Sequence, residues 1–388
     1  MTGLSLKPHF SRFLNARPGR LHFAAHSHHP WPDVSFEAQQ RAWLEAAELM
    51  DSKWDTVFGE VIPEAQRHIA RLLSLPDPAT IAFAPNTHEL VMRLLSCIRK
   101  RKPRVLTTDG EFHSFARQIT RLEAVGLAEV TRVAVEPFAD FPERMRAAIA
   151  ETEYELLYMS QVFFNSGFVV PDLAALIHAV PHENAMIAID GYHGFMALPT
   201  DLSAIASRAF YLAGGYKYAM AGEGVCFMHC PPGYGARPAN TGWFAEFGAL
   251  GAPHRGKVAF GTDGSRFLGA TFDPTGLYRF NAVMRWLQIE GVGPAEVRGH
   301  ALELQRRFLE ELESLQHAHL NRTTLQAPDQ ARGNFLCFRT PLAESLYRAW
   351  TNENIITDCR ADRLRIGFGV YQGMSDLEAF LRRISRPH

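Results

Sequence analysis

Between Thr80 and Gly215, short apolar runs alternate with segments whose apolar residues recur at helical spacing. This alternation limits the fold more than any other feature of the chain. TIAFAP, RVLTTD, EVTRVAV, YELLYMSQV, AMIAID and AFYLAGG read as strands. HELVMRLLSCI, SFARQITRLEAVG, FPERMRAAIAE and DLAALIHAV read as the helices among them. Strands joined through helices form right-handed βαβ units, which predicts an α/β fold with a mostly parallel sheet.

The flanks read differently. FEAQQRAWLEAAELM and IPEAQRHIARLLSL are two amphipathic helices ahead of the first strand. The first thirty-odd residues read as an irregular arm ending in HSHHPWPD, where Pro30 and Pro32 block a helix. Beyond about Gly264, GLYRFNAVMRWLQIEG, ALELQRRFLEELESL, ESLYRAWTNEN and DLEAFLRRIS are helical, with NFLCFRT and RLRIGFG as strands. The expected division is an arm over 1–35, a large domain over 36–265 and a smaller α+β domain over 266–388. The arm can pack on either domain.

Composition excludes several classes. A formal net charge of −1 gives no field that favours nucleic acid or an anionic membrane. No run approaches the roughly 20 apolar residues of a membrane span, and the N-terminal stretch lacks a secretory signal pattern. Five cysteines without a CxxC pair fit a reducing compartment, so a cytoplasmic protein is expected. His26, Ser27, His28 and His29 lack a partner cluster at recognisable spacing, and no metal is expected.

Open α/β sheets bind ligands beyond the carboxyl ends of their strands. Four strand ends carry unusual residues. Asp190 in AIDGYHGF can pair with a protonated ring nitrogen, or simply cap a turn. Lys217 in FYLAGGYKYAMAGEG sits among small and apolar residues; partial burial would make it a Schiff-base amine, and the alternative is a snorkelling surface lysine. FAPNTHEL starts a helix near Thr87 that can hold phosphate at its N-terminus, or be capped by Asn86 or Thr87 alone. Phe112 in TTDGEFHSF can stack on a flat cofactor or serve the core.

The order of these features, with Lys217 27 positions after Asp190, resembles the class V aminotransferase family of fold-type I pyridoxal-phosphate enzymes. Within it the nearest look is to kynureninases. Asp190-Gly191-Tyr192-His193 resembles the DxxH segment, which implies Asp190 on the ring nitrogen and His193 near the phenolic oxygen. Gly215-Tyr216-Lys217-Tyr218 resembles the lysine motif, with Tyr216 implied as a phosphate contact and the usual serine replaced by glycine. Asn86-Thr87-His88 is similar to the phosphate turn, Phe112 to the stacking position, and Ser160-Gln161-Val162 to the segment beside the ring. The run from Arg266 to Thr271 resembles a loop that donates a threonine across a dimer, and Gly242-Trp243-Phe244 a segment at that interface. Leu364-Arg365-Ile366-Gly367 resembles the segment whose arginine grips the substrate carboxylate, a task a planar guanidinium suits.

The resemblance implies a large domain with a mostly parallel seven-stranded sheet, a smaller C-terminal domain and a homodimer with shared sites. It also implies pyridoxal 5'-phosphate on Lys217 as a Schiff base, an amino acid substrate and proton transfer at Cα. Several reactions share those steps. GATFDPTG stands where a kynureninase has a segment like SNPP, which counts against kynurenine. Cys359 lies six residues before Arg365, too close for a desulfurase's mobile loop. Transamination is therefore the leading expectation, with kynureninase-like hydrolysis, β-lyase or desulfurase action, and non-catalytic cofactor binding as alternatives. Ser27 and His28 are expected at the substrate mouth.

Overall fold

The computed structural model describes residues 4, 6–151, 153–249, 256 and 258–384. Parts of the stretches assigned to the arm (1–3 and 5), the large domain (152, 250–255 and 257) and the small domain (385–388) lie outside the described residues.

The arm is more ordered than its prolines suggest. It folds as a 3-10 turn (Lys7–Phe10), a short helix (Ser11–Ala16) and strand β1 (Leu21–His22). The prolines end this order at HSHHPWP without preventing it upstream. Phe10 is buried in the first of three hydrophobic clusters, and Leu21 and Phe23 are buried in the third.

All the predicted strands form, and with one more they make a seven-stranded sheet. Its members are β2 (Ile81–Ala84), β3 (Arg104–Thr108), β4 (Glu129–Val133), β5 (Leu156–Ser160), β6 (Met186–Asp190), β7 (Phe210–Gly214) and β8 (Cys226–His229). The strand order is β2-β8-β7-β6-β5-β3-β4. Pairing from β7 to β4 is parallel, whereas β8 runs antiparallel to both β7 and β2. Strand β8 is absent from the sequence reading because it follows β7 through a loop without a helix, so it breaks the alternation that identifies the others. Its signal is the apolar run VCFMHC between Gly224 and Pro231.

Both faces of the sheet are covered, which explains why the central strands are apolar without alternation. Leu106, Leu157, Ile187 and Tyr211 enter the first cluster. Their neighbours Val105, Leu156, Ala188 and Leu212 point the other way into the second. Period two along each strand thus feeds two cores.

The third cluster joins helix Pro294–Ser314 to the C-terminal elements. These include β9 (Phe335–Arg339), β10 (Ile355–Ile356), β11 (Asp358–Arg360) and β12 (Arg363–Gly367). The antiparallel order is β11-β12-β9, and β10 pairs in parallel with β1 of the arm. Helix Thr275–Ile289 buries Leu277, Phe280 and Val283 in the first cluster, with the helices that precede the large sheet.

Candidate active site

A cleft of about 520 Å³ opens where β3, β5 and β6 end. Asp190 is the last residue of β6 and lines it. Its Oδ1 accepts the Tyr192 N–H at 3.0 Å and its Oδ2 the Tyr158 hydroxyl at 3.1 Å. Burial raises the Asp190 carboxyl above its usual range, opposed by the Tyr192 N–H, Lys217 and the Tyr158 hydroxyl. The residue after it must be glycine, because a Cβ at Gly191 would lie 1.9 Å from the Tyr211 ring.

Lys217 sits in the connection from β7 to β8. Register pairs Gly214 with Cys226, and Gly215 N–H bonds the Val225 carbonyl at 2.8 Å, so the loop is pinned at its base. A Cβ at Gly214 would reach 2.5 Å from Cys226 Sγ, which gives a steric reason for glycine just before the lysine motif. Lys217 Nζ lies 2.5 Å from His193 Nε2, 5.0 Å from the centre of the Tyr192 ring and 5.6 Å from that of Phe112. Burial pulls its ammonium down to about 7, with Asp190 pulling the other way. Desolvation and the Lys217 charge hold His193 well below the usual histidine range, so its Nε2 is free to accept from Lys217.

A buried layer supports these groups from below. Glu111 accepts the Ser160 hydroxyl and the Thr108 hydroxyl, each at 2.6 Å. Burial pushes its carboxyl up to about 7, with Asp190 adding to the rise. Ser160 in turn lines the cleft.

The structure brings most of the predicted residues together. Asn86, Thr87, His88, Phe112, Asp190, His193, Tyr216, Lys217, Ser27 and Arg365 all line the cleft. Asn86 also caps its helix, its Oδ1 accepting Glu89 N–H at 2.9 Å, so the capping role is realised beside the turn. Asn86, Thr87 and His88, at the N-terminus of helix Thr87–Leu95, line an end of the cleft suited to an anion. Phe112 is 41% exposed and meets Phe164 edge-on, leaving a ring face for a flat ligand.

Four predicted residues stand elsewhere. Gln161 is turned away from the cleft: its Oε1 accepts the Tyr211 hydroxyl at 2.9 Å and its Nε2 donates to Thr200 Oγ1 at 3.0 Å. Strand alternation gives its place on the wall to Ser160 and Val162. His28 stands one layer back, with Nδ1 2.8 Å from the Tyr216 hydroxyl. Trp243 Nε1 donates to Thr271 Oγ1 at 2.9 Å, and neither residue lines the cleft of its own chain. Arg365 is on the wall but already engaged, donating to Asp358 Oδ1 at 2.7 and 3.2 Å and to the Phe164 carbonyl.

The sequence reading gives no role to Tyr158, Glu111, Tyr192 and Cys226, and weighs His26 only as a metal ligand. Tyr158, Tyr192 and Glu111 carry a signal, since each is polar within a strand or strand-end motif already in view. Among the described residues, no group of three or more His, Cys, Asp or Glu is arranged to hold a metal ion. No described helix is long and apolar enough to cross a membrane.

Comparison with known proteins agrees with this architecture. Residues 40–348 match the family model described as aminotransferase class-V. Isopenicillin N epimerase of Streptomyces clavuligerus is 29% identical over 243 residues, covering 60% of this chain and 59% of that protein. The match therefore spans about three fifths of the curated relative. Among solved structures, a cystine C–S lyase in complex with its product cysteine persulfide aligns with TM-score 0.80 at 18% identity, covering 96% of this chain and 99% of that one. A lysine mutant of the same lyase, with glycine covalently linked to its pyridoxal-phosphate cofactor, aligns over 98% of both chains with TM-score 0.80, also at 18% identity. A cysteine desulfurase from Thermococcus onnurineus NA1 aligns with TM-score 0.77 at 16% identity over 94% of each chain. At these identities the likeness is one of fold.

Proposed function

The chain belongs to the class-V aminotransferase family and has the fold-type I architecture of pyridoxal-phosphate enzymes; from that premise we propose that it moves a proton at Cα of an amino acid substrate, with Lys217 as the base. One observation carries the reading. Lys217 Nζ is held against a neutral His193, in the same cleft as the Asp190 carboxyl, with its own ammonium lowered to about 7. An amine tuned to that range is a competent acid and base near neutral pH.

The residues present fit pyridoxal phosphate. Asp190 is a buried carboxyl opening on the cleft and held by two hydrogen bonds; burial disfavours its ionised form, and a protonated ring nitrogen would supply the cation that restores it. Phe112 supplies a ring face, and the first turn of Thr87–Leu95 with Tyr216 would hold the phosphate. When bound, the cofactor supplies an electron sink for charge developing at the substrate Cα. Lys217 Nζ takes and returns the Cα proton, His193 orients that amine, and Arg365 faces the substrate carboxylate.

The side-chain chemistry also narrows the reaction. Cys226 is the cysteine that lines the cleft, and burial pushes its thiol up to about 12. Cys359 is held up at about 11 and is not on the cleft wall. Neither is a ready thiolate, which disfavours a desulfurase that passes sulfur to its own cysteine. Transamination, epimerisation and C–S or C–C cleavage all begin with the Cα proton; epimerisation draws support from the sequence match to an epimerase. We place the enzyme in the cytoplasm as a homodimer, consistent with five free cysteines among the described residues.

Solvent-deuterium incorporation at Cα tests the shared step before any product is known. The cofactor-loaded protein should exchange Cα of at least one amino acid in a panel, and Lys217→Ala should slow this about 10²- to 10⁴-fold. Exchange that persists at the wild-type rate in Lys217→Ala would remove the assignment.

A further inference from the structure

The arm supplies the least satisfied polar group at the cleft. His26 forms part of the cleft wall and is completely buried, yet neither Nδ1 nor Nε2 has a hydrogen-bond partner. Its ring is clamped rather than loose. It stacks on Phe335 at 4.3 Å and 18°, and Gly367 of β12 lies so close that a Cβ there would reach 2.2 Å from Nδ1. Buried donors and acceptors are almost always paired, so a rigid imidazole with two unpaired nitrogens awaits a partner.

The surroundings determine the charge of that partner. The strongest electrostatic influences on His26 come from Arg365, Lys217, His22 and Arg360, none of them acidic. Arg365, on the same wall, offers five N–H bonds, of which three are engaged by Asp358 and the Phe164 carbonyl. The remaining donors of Arg365 make an incomplete anion site, half neutralised by Asp358. A neutral imidazole beside it carries one ring N–H and can complete the site without adding charge.

We propose that His26 is a substrate-binding residue that donates a hydrogen bond to the α-carboxylate of the amino acid, sharing that carboxylate with Arg365. This rests on the Cα-proton reading only for the identity of the ligand. The arm, rather than the sheet that carries the cofactor groups, then selects carboxylate-bearing amines over plain amines. The HSHH run gains a division of labour, with His26 toward substrate and His28 toward Tyr216.

The test uses the cofactor-loaded protein and small probes. Sodium propionate carries the carboxylate without the amine, and ethylamine the amine without the carboxylate. His26→Phe preserves a ring to stack on Phe335 and removes both nitrogens. Hydrogen bonds to charged groups contribute about 1.5–3 kcal/mol, so calorimetric affinity for propionate should fall roughly 10- to 100-fold. Ethylamine affinity should stay within about twofold, because no ring nitrogen contacts it. His26→Asn, which retains an amide donor, should recover part of the loss. Wild-type propionate affinity in His26→Phe overturns the proposal, as does equal loss of both probes or an Asn variant as weak as Phe. Deuterium exchange into every member of the amino acid panel, measured on the same proteins, separates the two readings. Absent exchange in the wild type, with the propionate discrimination intact, would sink the Cα-proton reading and leave the carboxylate site standing.

Discussion

At the scale of single residues, the proposed chemistry turns on one lysine whose charge is disfavoured by burial. Desolvation lowers the Lys217 ammonium to about 7, while Asp190 favours the charged form. In the protein without cofactor, the free amine is the form that reacts with an aldehyde. The rate at which pyridoxal phosphate is fixed to Lys217, read by borohydride trapping and peptide mass, should therefore rise from pH 5.5 and level off above about 7–8. An ordinary lysine would instead keep gaining about tenfold per pH unit toward 10. Asp190→Asn removes the charge that raises the lysine, so the midpoint should move to lower pH. A profile still climbing at pH 9 would show that Lys217 is solvated and not poised.

At the scale of elements, the site depends on how the loop after β7 is held. Arg279, on helix Thr275–Ile289, donates to the Ala221 carbonyl at 2.7 Å and to the Glu223 carbonyl at 2.5 Å. It also reaches Gln39 Oε1 at 3.0 Å and lies 5.1 Å from the Trp31 ring. One buried guanidinium thus ties the lysine loop to a helix of the first core and to the arm. Arg279→Met keeps much of the volume but leaves two loop carbonyls without that donor, which should lower the unfolding free energy by about 2–4 kcal/mol. Cofactor affinity should fall with it, while Cα exchange at saturating cofactor changes less. A stable variant with unchanged cofactor affinity would show that the loop holds itself. The sequence contains little trace of this bracing. Short, nearly all-apolar runs such as MIAID and LLYMS reveal their strands because two cores bury both faces, and residues at strand ends reveal the cleft. Arg279 belongs to a helix whose pattern looks merely amphipathic, and the loop carbonyls it holds lie 56 and 58 residues away. Gln161 misleads for a related reason: strand ends alternate, and a one-residue shift along β5 exchanges the wall for the interior. His26 is hidden because an imidazole's value depends on partners that only the folded arm brings near.

At the scale of the whole molecule, the arm and the exposed aromatic surface decide whether one chain suffices. Trp243 is 40% exposed, and its indole N–H holds the exposed Thr271 hydroxyl on a surface apart from the chain's own cleft. If Thr271 completes the phosphate site of a second copy, two defective chains should repair each other. One chain would carry Lys217→Ala, and the other Thr271→Asp, whose carboxylate repels a phosphate across the interface. In a mixed dimer, the site with an intact lysine receives its threonine from the Lys217→Ala chain and works. Random assortment after co-refolding equal amounts makes half the dimers mixed, each with one good site, so about a quarter of wild-type Cα exchange should return. Should Thr271 instead serve its own chain, the intact lysine would always face the aspartate and no activity would return. Retained activity in Thr271→Asp alone would remove the threonine from the site altogether. The test turns on geometry: Asp190 ends β6 and Lys217 follows β7 in the cleft of one chain, whereas Thr271 does not line that cleft.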